Sequence, residues 1–174
     1  MTKPTPRVAI FMGSRNDWDI MHETAVVLDK FGIAYDVQAL SAHRSPEAVT
    51  SYVKTAESRG IKIIIAGAGA AAHLPGVIAA QTLLPVLGVP IAATALNGMD
   101  ALLAIAQMPG GIPVGTLAVG KAGAKNAGLL AVSILALAEP ELRDKLEAYR
   151  QAQTDAVLEA NDRLHEELQH PMAL

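Results

Sequence analysis

A chain of 174 residues is long enough for one domain with a substantial core and short for two. Its net charge of -3 and 3% aromatic content offer neither the basic footprint nor the stacking rings that nucleic-acid binding needs. Hydrophobic residues make up 51% of it, but charges interrupt every apolar run before the roughly 18 to 20 residues of a membrane span; the absence of cysteine excludes disulfides, thiolate nucleophiles and cysteine-held metals and suits the cytoplasm.

The opening MTKPTPR reads as a polar lead-in without the features of a signal peptide. RVAIFMG is a short apolar run closed by a glycine, and DWDIMHETAVVLDKFG then spaces apolar residues helically up to a stop at Gly32. This strand, turn and helix recurs as AYDVQAL with SPEAVTSYVKTAESRG, KIIIAGAG with LPGVIAAQTL, PVLGVPIAATA with NGMDALLAIAQM, and VGTLAVG with AGAKNAGLLAVSILALA. Strands without polar alternation, each followed by a helix, predict a parallel sheet buried on both faces. Beyond Pro140 the charged, helix-favouring ELRDKLEAYRQAQTDAVLEANDRLHEELQHP predicts one long amphipathic helix, whose apolar side needs another surface, naturally that of another subunit. The expected organisation is a single domain over residues 1–174, with an α/β core over 7–138 and the added helix over 139–170.

Folds of this class bind ligands beyond the carboxyl ends of their strands, which directs attention to GSRND, SAHRSP, GAGAAAHLPG, ALNGMD and GKAGAKN. Ser14 and Asp17 form a capping-box pattern. The same geometry also suits a phosphate: Gly13 lets the backbone turn closely, the helix start and the Ser14 hydroxyl supply donors, and Asp17 suits ribose hydroxyls. In SAHRSPE, Ser45 and Pro46 read as an N-cap and first helical residue, which leaves His43 and Arg44 without a structural reason. Arg44 offers a planar fork of donors to phosphate or carboxylate, and His43 exchanges a proton near neutral pH.

GAGAAAHLPG formally fits a dinucleotide fingerprint, but in the third unit and without the acidic residue that follows about 20 positions on. Its small residues instead let backbone amides crowd a small planar or carboxylate-bearing ligand; His73 is either a second polar group there or a structural histidine. GTLAVGKA has a phosphate-loop skeleton but ends in alanine where magnesium binding requires Ser or Thr. No metal-ligand spacing such as HExxH occurs, so no metal is expected. From the residues alone, the chain is an α/β protein that binds a small phosphorylated ligand, with one histidine suited to proton transfer.

At FMGSRNDWD, SAHRSPE, IIIAGAGAAAHLPGVIAAQTLLPVLGVP and QMPGGIPVGTLAVGKAGAKNAGLLA, the chain resembles the PurE family, the N5-carboxyaminoimidazole ribonucleotide mutases of purine (IMP) biosynthesis, over about residues 7 to 158. The resemblance implies a flavodoxin-like three-layer α/β/α sandwich, a cytoplasmic homo-octamer with sites near subunit interfaces, and a C-terminal helix packed on neighbouring subunits. It implies an isomerase that needs no cofactor, moves a carboxylate from N5 to C4 through trapped CO2, and is functionally coupled to the ATP-dependent enzyme making its substrate. By motif, Ser14, Asp17 and Arg44 hold the ribose 5'-phosphate portion, lined by Gly13, Ser41 and Ala42; Ala68, Gly69, Ala70, His73 and Leu74 surround the base and carboxylate; His43 shuttles the proton. SAHR together with AAHLPG points to the mutase branch, since the carboxylase branch, which uses free CO2, usually has lysine after the first histidine and lacks the second. A non-catalytic nucleotide-binding module is the alternative of a different class. Ala70 departs from the family where many relatives have glycine, and its methyl is expected to tighten the pocket.

Overall fold

The computed structural model describes residues 4–169; His170, assigned above to the last helix, and the first three residues of the lead-in lie outside them. Five parallel strands form one sheet in the order β2-β1-β3-β4-β5: β1 (Val8–Met12), β2 (Tyr35–Ala39), β3 (Ile63–Gly69), β4 (Val86–Ile91) and β5 (Gly115–Thr116). Helices α1 (Trp18–Phe31), α2 (Pro46–Ala56), α3 (Leu74–Ala79), α4 (Met99–Ala106) and α5 (Lys121–Ala136) follow them in turn, and α6 (Pro140–Gln169) ends the chain. This is the flavodoxin-like strand order, a parallel sheet between helical layers.

The described residues up to Ala131 form one compact unit and those from Val132 a second, with the boundary inside α5. In the first, Ile63, Ile64 and Ile65 are fully buried, as a central parallel strand requires, each contributing about 1.5–3 kcal/mol by leaving water. Ile64, Ala66 and Ala68 pack with Val49 and Val53 of α2, Ile78 of α3 and Ile105 of α4. On the opposite face a side chain at Gly67 would collide with Met21 of α1. Helices α1 and α5 approach closely there: the fully buried Thr24 hydroxyl donates to the Ala124 carbonyl at 2.7 Å, and a Cβ at Gly128 would lie 2.9 Å from that of Val27. In the second unit, α6 is a single 30-residue helix, with Val157, Leu158 and Leu164 exposed.

Two strands differ from the sequence expectation. The β2 run reads as fully buried, but β2 is an edge strand whose residues are half-buried, with Ala39 exposed. β5 is reduced to two residues paired with Leu87 and Gly88. The hydrogen bond from Gly120 N-H to the Pro90 carbonyl places that face of Pro90 toward β5, and proline has no N-H to continue the ladder.

Candidate functional site

The strand register sets the site. Met12 pairs with Ala39 on one side and with Gly67 on the other, so the segments that follow β1, β2 and β3 leave the same carboxyl end of the sheet, where the strand order reverses. Their side chains and backbone line a cavity of about 390 Å³ formed by Gly13, Ser14, Asp17, Ser41, Ala42, His43, Arg44, Ala68, Gly69, Ala70, Ala71, His73, Leu74 and Ala93. Every candidate residue named from the sequence is in that set. Ala71 and Ala93 were not anticipated: Ala93 arrives from the segment after β4, and only tight pairing brings it in. A Cβ at Gly69 would lie 2.6 Å from that of Ala93, so glycine there permits the close approach.

Ser14 and Asp17 do form a reciprocal capping box: Asn16 N-H donates to Ser14 Oγ at 3.2 Å, and Ser14 N-H to Asp17 Oδ2 at 3.0 Å. It starts a 3₁₀ turn, Arg15–Asp17, that leads into α1. Burial holds the Asp17 carboxyl above its ordinary value of 3.8, opposed by the Ser14 amide.

Ser45 occupies the N-cap position of α2 with Pro46 after it, but its side chain does not cap the helix. The hydroxyl turns back, accepting from Ser41 N-H at 2.9 Å and donating to the Ser41 carbonyl at 3.0 Å. Ser41 Oγ in turn accepts from the amides of His43 and Arg44 at 3.3 and 3.2 Å. These bonds fix the loop that presents both side chains, so the serine that sequence reasoning assigned to the helix instead shapes the site. Arg44 Nη2 reaches across to the Gly13 carbonyl at 3.5 Å and has no carboxylate partner among the described residues, leaving its charge available to an anion.

His43 Nε2 lies 2.8 Å from His73 Nδ1. This contact makes His73 a polar group of the site, which its sequence position left open. Ala70, the first residue after β3 in the loop that carries His73, has φ 54°, a left-handed conformation that a β-carbon disfavours. Lys121, which opens α5, does not line the cavity.

A larger hollow of about 620 Å³ lies at the opposite end of the sheet, around Lys54, Glu57, Gln81, Thr82 and Leu83. It contains no imidazole and is not at the strand ends where this topology gathers ligands, so size alone does not make it the site. Among the described residues no group of three or more His, Asp or Glu side chains is placed to hold a metal ion, and no helix is long and apolar enough to cross a membrane.

The AIR carboxylase family model matches residues 7–156. A protein of Vibrio cholerae named N5-carboxyaminoimidazole ribonucleotide mutase is 55% identical over 87% of this chain and 94% of its own. Proteins of the same name from Bacillus subtilis and Escherichia coli K12 are 53% and 55% identical, over 91% and 90% of this chain and 98% and 92% of theirs. The crystal structure of Treponema denticola PurE superposes with a TM-score of 0.83 at 29% identity, covering 91% of this chain and 98% of that one.

Proposed function

The chain belongs to the AIR carboxylase family, and on that premise we propose that it is the isomerase that converts N5-carboxyaminoimidazole ribonucleotide into 4-carboxy-5-aminoimidazole ribonucleotide in purine biosynthesis. The observation that carries the reading to particular residues is the convergence of SAHR and GAGAAAHLPG on one cavity, with His43 and His73 in contact. Relatives named as mutases, at 53–55% identity, favour this branch over the carboxylase that takes free CO2.

In this reading Arg44, Ser14 and Asp17 hold the ribose phosphate portion, lined by Gly13, Ser41 and Ala42. Ala68, Gly69, Ala70, His73 and Leu74 enclose the base and the migrating carboxylate. Breaking the bond between N5 and its carboxylate releases CO2 beside the aminoimidazole, and a closed site keeps it within reach of C4. N5 needs a proton as the carboxylate leaves, and C4 must lose one after the carbon-carbon bond forms. His43 serves both transfers, a positioned acid-base role worth ~10²–10⁴-fold.

We further propose that the protein works in the cytoplasm as a homo-octamer, coupled to the ATP-dependent enzyme that supplies its substrate. The exposed apolar residues of α4 and α6 support the assembly, with α6 packed on neighbouring subunits and residues 1–174 acting as one domain. The decisive assay is ATP-free incubation with N5-carboxyaminoimidazole ribonucleotide: the C4 isomer should form, and His43→Asn should abolish turnover while still binding nucleotide. Turnover only from aminoimidazole ribonucleotide with high bicarbonate would move the enzyme to the carboxylase branch. Full activity in His43→Asn would remove His43 from the chemistry.

A further inference from the structure

His43 and His73 belong to loops after different strands, 30 residues apart in sequence, yet Nε2 of the first and Nδ1 of the second are 2.8 Å apart. Their rings meet edge to face, 5.0 Å between centroids and 81° between planes. Two ring nitrogens at that distance hold one proton between them, one donating and one accepting. Both rings line the same cavity. We propose that His73 is the proton-sharing partner of His43, so that the acid-base group of the carboxylate transfer is the imidazole pair. The proposal rests on the reading of His43 as the proton-transfer residue and assigns His73 a positioning role that acts through it.

The proton count shows what the pair adds. With three protons on its four ring nitrogens the pair is a monocation. It gives one proton to N5 as the bond between N5 and the carboxylate carbon breaks and that bond's electrons remain on N5, leaving free CO2 and a neutral pair with two protons. C4 then forms its bond to CO2, and the C4 proton returns to the pair, restoring three. No proton is gained or lost overall. A lone imidazole carries the whole change of charge on one ring; in the pair, the bridging proton shifts toward whichever ring is short of one. The other charged side chains on this cavity are Asp17 from the loop after β1 and Arg44 beside His43, while the segment after β4 contributes only the apolar Ala93.

The test compares His73→Asn and His73→Ala with the wild-type protein under steady-state conditions. Asparagine keeps a hydrogen-bonding group at the position but cannot carry a proton. The proposal expects kcat to fall roughly 10- to 100-fold in both variants, part of the acid-base factor, with KM within about twofold, and added imidazole to restore part of kcat in His73→Ala. A rise in KM at unchanged kcat, or full activity in His73→Asn, would show His73 to be a binding contact only and overturn the proposal. A measurement on the wild type does not depend on the variants folding: ¹⁵N-histidine NMR should show the His43 and His73 ring nitrogens shifting together as pH is changed, and independent titration would equally overturn it. If His43→Asn itself keeps turnover, the underlying reading has failed; if only the His73 variants keep it, the pairing alone has failed.

Discussion

Asp17 serves two purposes that conflict. Its carboxylate closes the turn after β1 by accepting the Ser14 amide, yet burial holds its pKa above 3.8, so ionisation opposes folding. The raised value means that its contribution to stability is complete below pH 3.8 and is lost as pH rises through the folded-state pKa. Asp17→Asn keeps an oxygen for the Ser14 amide without the charge, so thermal melting at pH 7 should show the variant more stable than wild type, with the difference vanishing below about pH 3.8. The same variant should bind nucleotide more weakly, because Asp17 is assigned to the ribose phosphate portion. Ala70 presents a similar conflict in the backbone. Its φ of 54° costs an L-residue about 1–2 kcal/mol, partly offset in any glycine variant by the larger entropy of the unfolded chain. Ala70→Gly should therefore raise the denaturation free energy by roughly 0.5 kcal/mol in urea titration; a clear loss would mean that the Ala70 methyl makes contacts worth more than the strain.

Among the elements, β2 needs the most support, since it is a half-buried edge strand and unpaired edges invite association. A cluster of side chains covers it. Asp36 accepts from the Tyr52 hydroxyl at 2.7 Å and from Gln38 Nε2 at 3.1 Å, while the Arg59 guanidinium lies 3.9 Å from the Tyr52 ring centroid and 3.8 Å from Asp36. Tyr52 also meets Phe11 edge to face at 4.9 Å, which ties the cluster to the core. Burial, then the Asp36 carboxylate, push the Tyr52 hydroxyl up to about 12. A raised pKa on this acid means stability present below pH 10 and lost as pH rises through about 12. Tyr52→Phe should cost about 1 kcal/mol at neutral pH, and the gap between the two proteins should narrow between pH 10 and 12 in chemical denaturation. A constant gap would indicate that the hydroxyl contributes through packing and not through its proton.

At the scale of the whole molecule, the exposed apolar side chains require explanation. Leu96, Met99 and Leu103 are at least half exposed around α4, and Leu83 is completely exposed; such clusters mark contact surfaces more often than free ones. The octamer proposed above offers them surfaces to pack against. Leu103→Asp should therefore leave the far-UV circular dichroism of the fold intact and shift the protein to smaller species in size-exclusion chromatography with light scattering. Activity should fall with the assembly if the sites are completed near subunit interfaces. An unchanged oligomer would exclude this face of α4 from the contact.

The sequence by itself determined what depends on neighbours along the chain. Five runs of apolar residues with helices after them, the stop at Gly32, the Ser14 and Asp17 capping box, and the exposure of His43 and Arg44 where a strand gives way to a helix all follow from local periodicity and capping. Only the tertiary structure decided what depends on register and strand order. Placing β2 at an edge left it half-buried, and Pro90 facing β5 ended that strand after two residues. Pairing between β3 and β4 brought Ala93 to the cavity, and the carboxyl ends of β2 and β3, on either side of β1, set His43 against His73. Ser45 shows the division within one residue: its position before Pro46 is a local property, but its hydroxyl turns to Ser41 because the loop folds back on itself. Hydrogen-bond partners distant in sequence leave no periodic trace, so the pairing of the two imidazoles was legible only once the sheet had placed their loops side by side.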